Sequence, residues 1–464
     1  MVNDHQLRND SVWSLFCRFT FPAVAGIVVA GIQTIIDGFF IGNSMGSNGL
    51  AAITLAFPVM MLIVAIGIMA GAGSSSLVAL ELGKSNIQKA LEVVSNVFSM
   101  LLVMGFILTI FGFIFVDSII GLLGAEGIVA TMMHDYLQIV FTGVVFILFA
   151  LALEPLVRND GRPVFVMKVM IISVLTNIIL DYVFIMRFGM GMRGAAIATM
   201  IAFAMIAVIL ASHLFSSRAR LGINPAKIGF HYGTIFQIIK TGLPSFGMQF
   251  AIFIFLLVHN FVLLEYGSET AVSAFGIIDY SFSMFYMLFE GIAMGVQPII
   301  GFNYGAGLYG RVRKALIFAI IACFSIGAIG FAIMFSFPEK VVYIFSPHDA
   351  ELLSVTTEAM RIFMISLLLQ GAIIVNATYY QSVNKVLPSL FINLGKVFLF
   401  LLPLLFILPA RFGLMGIWFA TPLADGLMFL IAMAMIFGEM RILREKKLAK
   451  LVAREKSKII TPQY

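Results

Sequence analysis

Residues 13–42 read WSLFCRFTFPAVAGIVVAGIQTIIDGFFIG, with Pro22 near one end and Asp37 near the other. The run exceeds the roughly 20 apolar residues that cross a bilayer. A carboxylate in hydrocarbon costs at least ~2.5 kcal/mol, and a proline lets a membrane helix bend because it removes one backbone donor. The stretch therefore predicts a spanning helix with an ion or proton site on a bendable backbone. The alternative is that Asp37 ends the helix in water.

The composition indicates an integral membrane protein with many spans. The chain has 464 residues, of which 61% are hydrophobic and 11% charged, and its mean hydropathy is +1.06. A soluble protein would carry about 25% charged residues. The net charge of +6 reflects basic loops and a basic tail, so no nucleic-acid partner is expected. The first apolar run is too long for a cleavable signal peptide.

Apolar windows of spanning length predict an all-α protein with twelve transmembrane helices. Basic residues such as Lys84 and Arg158 concentrate in alternate loops, whereas Asp117 and Glu126 lie in an intervening one. The positive-inside rule then places both termini in the cytoplasm. The predicted spans cover residues 13–41, 50–78, 91–116, 133–156, 164–186, 194–215, 235–263, 271–300, 315–337, 357–381, 386–409 and 414–438.

The two halves of the chain repeat one another. FTFPAVAG resembles KTGLPSFG, RNDGRP resembles SVNKVLP and MRGAAIATM resembles LMGIWFATP, which pairs Pro22 with Pro244, Pro163 with Pro388 and Thr199 with Thr421. Six helices per half give both halves the same orientation, as in alternating-access transporters with a central cavity. The predicted domains are an N-terminal lobe (1–215), a cytoplasmic linker (216–233), a C-terminal lobe (234–440) and a basic tail (441–464). The tail is predicted to be helical, either on anionic lipid or as a solvated anchor.

Four oxygen-bearing residues are predicted to lie at one depth in the first half. Asn177 and Asp181 are four residues apart and share a helix face, while Asp37 and Thr199 lie five residues from the outer ends of their own spans. Such hard oxygen donors suit Na⁺ if all four act as ligands, and the two carboxylates could instead carry a proton. A hydrogen-bond network without a transport role is the structural alternative.

The second half offers weaker candidates for a substrate cavity. His259 follows Pro244 by fifteen residues, as Asp37 follows Pro22, and it could either titrate or simply pack. The eighth span contains FSMFYMLFEGIAM, where methionines and aromatic rings suit varied cationic ligands. The candidate cavity residues are Asp279, Met284, Tyr286, Met287, Glu290 and His259. Lys396 is expected to pair with an acid or to reach the inner surface, and Asp425 is a further acid without an assigned role.

The motifs FPAVAG, IIDGFFIG, RNDGRP, TNIILDYVFI, MRGAAIAT, GVQPIIGFNYGAG and GIWFATPLAD resemble those of the multidrug and toxic compound extrusion (MATE) family, and most closely those of its bacterial MepA- and DinF-type members. The resemblance implies two six-helix lobes and export of amphipathic, often cationic drugs and dyes against H⁺ or Na⁺. It assigns the cation site to Asp37, Asn177, Asp181 and Thr199, and the bending of the first helix to the segment with Pro22. Acids that some relatives carry in spans seven and ten are missing here, where Gln370 and Asn376 stand in span ten.

Two other classes of function are weighed against drug export. A lipid-linked oligosaccharide flippase of the same superfamily would need several basic residues in its cavity, and Lys396 is the main candidate inside a span. An enzyme is not expected, because HExxH and Walker motifs are absent from the sequence. We expect no cofactor besides the coupling ion, a membrane-lipid environment and a functional monomer.

Overall fold

The computed structural model describes residues 2–224, 228–345 and 349–460, with side chains described as far as residue 448. Every regular element in these ranges is helical. The helices are α1 (Asp4–Asn9), α2 (Val12–Gly83), α3 (Ile87–Leu122), α4 (Gly127–Asn159), α5 (Pro163–Asp181), α6 (Gly191–Leu214), α7 (Tyr232–Tyr266), α8 (Glu269–Gly305), α9 (Tyr309–Ser336), α10 (Pro338–Phe345), α11 (Ala350–Phe363), α12 (Ser366–Ser382), α13 (Val386–Gly395), α14 (Leu402–Phe412) and α15 (Leu414–Ile460).

The helices account for the twelve predicted spans. Ten helices within the described ranges are long and apolar enough to cross a bilayer, and α11 with α12 forms one more span bent by 46°. The twelfth arises because α2, at 72 residues, holds two spans that meet at Gly46. There φ is +62° and ψ is −149°, a backbone conformation that glycine adopts without the steric cost of a Cβ atom.

Two π-helical segments interrupt the spans and were not predicted. Tyr182–Arg187 continues α5 as a π-helix, and Lys396–Leu401 joins α13 to α14 in the same way. A π-helix pairs each amide with the carbonyl five residues back, so it is wider than an α-helix and is frequent at functional sites. Asp181 is the last residue before the first segment, and Lys396 is the first residue of the second.

The C-terminal tail continues the last span without a break. Helix α15 runs from Leu414 to Ile460, so the prediction that the tail is helical is confirmed for residues 441–460. Residues 461–464 lie outside the described part, as do the side chains of residues 449–460. Whether the tail lies on lipid stays a prediction.

The described chain forms two compact units. The first contains Val2, Phe21–Val78 and Ile87–Phe253, and the second contains Asn3–Thr20, Ala79–Asn86 and the chain from Ile254 onward. In the first unit α4 packs against α3 and α6, and α5 packs against α6. In the second unit α12 packs against α8, α9 and α15. The domain boundary predicted at the linker 216–233 stays a prediction, and residues 225–227 of that linker lie outside the described part.

Candidate cation site

Two carboxyl groups meet inside the first unit. The carboxyl of Asp37 on α2 is in hydrogen-bonding contact with that of Asp181, the last residue of α5. Asp181 is 1% exposed and Asp37 is half-buried. Two carboxylates only accept hydrogen bonds, so this contact is a hydrogen bond only when one of them carries a proton. Without an added positive charge, the two groups repel each other at short range.

Few protein groups donate hydrogen bonds to the two carboxyls. The amide of Gln33, one turn before Asp37, contacts the Asp37 carboxyl. Within the described residues, no protein N–H or O–H donates to either oxygen of Asp181 or to Oδ1 of Asp37. The hydroxyl of the buried Tyr136 on α4 is within electrostatic reach of both carboxyls. The site therefore has unused acceptor capacity for a proton or a small cation.

Sequence reasoning missed Gln33 and Tyr136. Gln33 had a detectable signal, because its spacing of four residues from Asp37 puts both on one helix face. Tyr136 had none, since only the packing of α4 brings it to the carboxyls. Beyond the carboxyls, the ring of Phe40 lies 6.5 Å from that of Tyr182, so α2 and the first π-helical segment are in contact beside the site.

Asn177 and Thr199 complete the predicted set. Asn177 is fully buried, and neither atom of its amide has a hydrogen-bond partner among the described residues. The hydroxyl of Ser173 donates to the carbonyl of Ala202 at 2.8 Å, so these two residues of α5 and α6 lie side by side. One turn further along α5, Asn177 is level with residues 198–199 of α6, so the half-buried Thr199 lies at the depth of the site.

The helix junction at Asp181 depends on a close approach by α6. A Cβ atom built on Gly194 would lie 3.0 Å from Cβ of Phe184 in the first π-helical segment. The absence of a side chain at Gly194 therefore lets the start of α6 pack against this segment. The two elements together hold the end of α5, and with it the carboxyl of Asp181, against α2.

Pro22 lies in a continuous helical part of α2. Its side chain is buried. The non-helical backbone angles inside α2 are at Gly46 and not at Pro22. The bending of the first helix at Pro22 stays a prediction. Four residues beyond Pro22, a Cβ atom on Gly26 would lie 2.5 Å from Sδ of Met170, so α2 and α5 are close to each other at this position.

The second-unit candidates differ in their accessibility. Met284 is 63% exposed, and Asp279, Tyr286, Met287 and Glu290 are half-buried. His259 is fully buried and is the one member of the set without exposed surface. Its imidazole stacks on Phe275 at 4.2 Å and contacts Phe255 at 5.1 Å, with Phe363 and Trp418 nearby. The packing alternative for His259 fits this aromatic cluster, and the cavity roles of the other residues stay predictions.

An ion pair lies near the end of α4, where Glu154 contacts Arg158 one turn away at 3.1 Å. Lys396 pairs with an acid, as predicted, and that acid is Asp425: Nζ of Lys396 lies 2.8 Å from Oδ1 of Asp425. Sequence reasoning named both residues without joining them, because the second π-helical segment and α15 are brought together only by packing.

The fold closely matches solved membrane transporters. One is an outward-facing multidrug resistance MATE family transporter of the MOP superfamily, with a TM-score of 0.90 and 23% identity over 96% of this chain and 99% of the other. Another is a MATE protein in complex with MaL6, with a TM-score of 0.91 and 23% identity over 96% of this chain and 100% of the other. These likenesses confirm the predicted all-α membrane fold with two lobes.

The sequence also matches curated relatives along nearly its whole length. It is 27% identical to the multidrug export protein MepA of Staphylococcus aureus strain MSSA476 over 443 residues, which cover 94% of this chain and 96% of MepA. The family model described as MatE matches residues 22–183 and again residues 244–407. The two matches begin at Pro22 and Pro244, the prolines that the internal repeat pairs. Since they cover well over half of the residues, this chain belongs to the MatE family.

Proposed function

We propose that the chain is a secondary active multidrug exporter rather than an enzyme. It moves amphipathic, often cationic organic compounds out of the cell in exchange for H⁺ or Na⁺. Membership of the MatE family and the likeness to a multidrug export protein support the export of drugs. The observation that carries the ion coupling is the contact between the carboxyls of Asp37 and Asp181.

The paired carboxyls explain how a cation would change the state of the first unit. With neither carboxyl neutralised, two negative charges face each other where water is excluded, and their repulsion is large at low dielectric. One proton shared between them, or one Na⁺ held with Asn177 and Thr199, removes this repulsion and holds α2 against α5. Losing the cation would release α2, and Pro22 provides a site at which the helix can bend.

Coupling requires the cation to bind the two conformations with different affinities. A tenfold inward gradient supplies about 1.4 kcal/mol for each proton that enters. Membrane potential adds about 2.3 kcal/mol per elementary charge for each 100 mV. Exchange of one proton for one monocationic drug moves no net charge, so such exchange would respond to the pH gradient and not to the potential.

The flippase alternative is less well supported. A pyrophosphate-bearing lipid would be expected to require basic side chains that are available for the anion. Lys396 is already committed to Asp425 at 2.8 Å and to Gln370 Oε1, to which it donates at 2.7 Å. The candidate cation site adds two carboxyls, which repel an anionic substrate.

The test is efflux of an ethidium-type dye from cells or vesicles, with a pH gradient and a Na⁺ gradient imposed separately. Wild type is compared with Asp37→Asn and Asp181→Asn. Each change removes one carboxylate and keeps the size of the side chain. We expect both variants to reach the membrane in normal amounts and to lose gradient-driven efflux. Efflux driven by the pH gradient alone would assign a proton to the site, and a requirement for Na⁺ would assign Na⁺.

The control is Asp117→Asn, which changes a carboxylate whose side chain is 87% exposed and lies 3.6 Å from His134. This variant should keep efflux close to that of wild type. Full efflux by both Asp37→Asn and Asp181→Asn would contradict the proposed site. An absence of response to either gradient in wild type would contradict antiport and favour the flippase alternative.

We further propose a multi-pass location in the bacterial inner membrane with both termini cytoplasmic, supported by the basic loops and the even number of spans. Function as a monomer stays a prediction.

A further inference from the structure

The ion pair between Lys396 and Asp425 lies deep within two spans of the second unit. Lys396 follows the start of α13 by ten residues, or about 15 Å of helix, and Asp425 follows the start of α15 by eleven residues, or about 16 Å. Both depths are near the middle of a hydrocarbon layer about 30 Å thick. Ionisable residues at such a depth are rare and usually functional.

The carboxylate of Asp425 is buried, and its partner Lys396 is partly exposed. Asp425 is 0% exposed, whereas the side chain of Lys396 keeps 18% of its surface. The hydroxyl of Thr421, one turn before Asp425, and Oδ2 of Asp425 have no hydrogen-bond partner among the described residues. A carboxylate offers about four acceptor positions, so Asp425 has acceptor capacity that Lys396 does not fill.

An aromatic side chain lies beside the carboxylate of Asp425. The hydroxyl of the half-buried Tyr286 is within electrostatic reach of both Glu290 and Asp425. An aromatic ring beside carboxylates suits an organic ammonium group, which gains from the face of the ring as well as from the negative charge.

We propose that Asp425 is a binding group for the ammonium of monocationic amphipathic compounds, and that the ammonium of Lys396 competes with them for it. The inference rests on the proposed export of organic cations and assigns a second-unit group that binds them. Lys396 is displaced without losing every partner, because it already donates to Oε1 of Gln370 at 2.7 Å. It also begins a π-helical segment, where the backbone departs from regular α-helical pairing.

This arrangement predicts a gain of binding when the lysine is removed. A competitor that is part of the protein acts at a high effective concentration, and it therefore weakens the binding of every external cation. Lys396→Met keeps the length of the side chain and removes its charge, so the uncovered carboxylate should bind a monocationic dye about tenfold more tightly, or about 1.4 kcal/mol.

The experiment measures equilibrium binding of a fluorescent monocationic dye to the purified full-length protein in lipid nanodiscs without any gradient. Wild type, Lys396→Met, Asp425→Asn and the double variant Lys396→Met/Asp425→Asn are compared. We expect tighter binding only in Lys396→Met. The control is Lys385→Met, which breaks a different ion pair, between Lys385 Nζ and Oε2 of Glu439 at 2.5 Å, and should show no gain.

Unchanged or weaker binding in Lys396→Met, or an equal gain in the double variant, would overturn the proposal. Size-exclusion profiles report whether each variant is folded. If Lys396→Met is not folded, Lys396→Gln replaces it, because its amide can still hydrogen-bond to Gln370, and the same gain is expected. Asp37→Asn combined with Lys396→Met should retain the gain of binding while losing efflux, so failure of the ion-coupling proposal is distinguishable from failure of this one.

Discussion

The proposed role of Asn177 as a cation ligand would come with a cost in stability. Its amide is fully enclosed and has no hydrogen-bond partner among the described residues. Leaving a buried polar group unsatisfied costs about 1–3 kcal/mol. A residue selected for packing alone would be apolar here, so the amide is better explained as a ligand for the coupling cation.

Asn177→Leu, a change to an apolar side chain of similar size, should separate stability from transport. We expect the free energy of unfolding to rise by about 1–2 kcal/mol, because the unsatisfied amide is removed. Dye efflux should fall, most strongly if the coupling ion is Na⁺. Thermal unfolding of the purified protein and dye efflux in the same preparation measure the two effects.

The matched control for Asn177 is Ser173→Ala, one turn away on the same helix. This change removes the hydrogen bond to the carbonyl of Ala202, which is worth about 0.6 kcal/mol in a membrane protein. It should lower stability slightly and leave efflux intact. Wild-type efflux in Asn177→Leu would contradict the assignment of Asn177 to the cation site.

At the scale of residues, the sequence predicts charged groups better than their partners. Asp37 and Asp181 were conspicuous because a carboxylate in an apolar run is costly, and the structure brings them into contact. The partnership of Lys396 with Asp425 depends on how the second π-helical segment packs on α15, which no local pattern encodes. The positions of Gln33 and Tyr136 around the carboxyls depend in the same way on packing.

At the scale of elements, hydrophobic length predicted where each span lies, but not always where its helix ends, since α15 continues to Ile460 and α2 contains the first two spans. The helix of residues 91–116 is observed as Ile87–Leu122, and that of residues 386–409 ends at Phe412. The bend between α11 and α12 and the two π-helical segments were missed, because apolar composition is the same in straight, bent and π-helical backbone. These irregularities are set by neighbouring helices rather than by the segment itself.

The crossing of α2 and α5 at Gly26 is an element-scale contact with a direct test. A Cβ at Gly26 would meet Sδ of Met170 at 2.5 Å, so Gly26→Ala should push α2 from α5 and weaken the approach of Asp37 to Asp181. Because the obstructing atom ends a flexible side chain, we expect a partial loss of efflux. Met170→Ala in the same chain should restore efflux by opening space.

Gly121→Ala is the control for this pair, because a Cβ there has no neighbour within 4 Å. It should leave efflux unchanged. If Gly26→Ala alone is as active as wild type, the approach at Gly26 does not govern the site. If Met170→Ala fails to rescue a defective Gly26→Ala, the defect has another cause.

At the scale of the whole molecule, the two halves share a fold, but residues at equivalent positions of the repeat differ in their chemical character. Counting fifteen residues from Pro22 leads to Asp37, which faces Asp181. The same count from Pro244 leads to His259, which is enclosed by aromatic rings. The repeat therefore explains the architecture, whereas the difference between the halves indicates that the proposed ion coupling belongs to the first half.

Pro22→Ala and Pro244→Ala form a matched pair that tests this asymmetry. Alanine restores a backbone donor and straightens a helix that proline would bend. We expect Pro22→Ala to reduce gradient-driven efflux about tenfold, or about 1.4 kcal/mol of coupling, with little loss of folded protein. Pro244→Ala should keep most of its efflux, measured with the same dye and gradient.

Equal losses in the two proline variants would contradict the asymmetry and assign movement to both halves. Wild-type efflux in Pro22→Ala would contradict bending of the first helix as a step in export. Expression in the membrane and thermal unfolding, measured for both variants, separate these outcomes from a defect in folding.

The π-helical segments also determine where the length of the chain can change. A π-helical turn amounts to an α-helix with one extra residue. Deleting a residue within Tyr182–Arg187 could restore α-helical pairing without rotating Asp181, which precedes the segment. The same deletion between Asn177 and Asp181 would turn the carboxyl by about 100° away from Asp37. Insertions and deletions accumulating during evolution would thus be tolerated after the charged residue and eliminated before it.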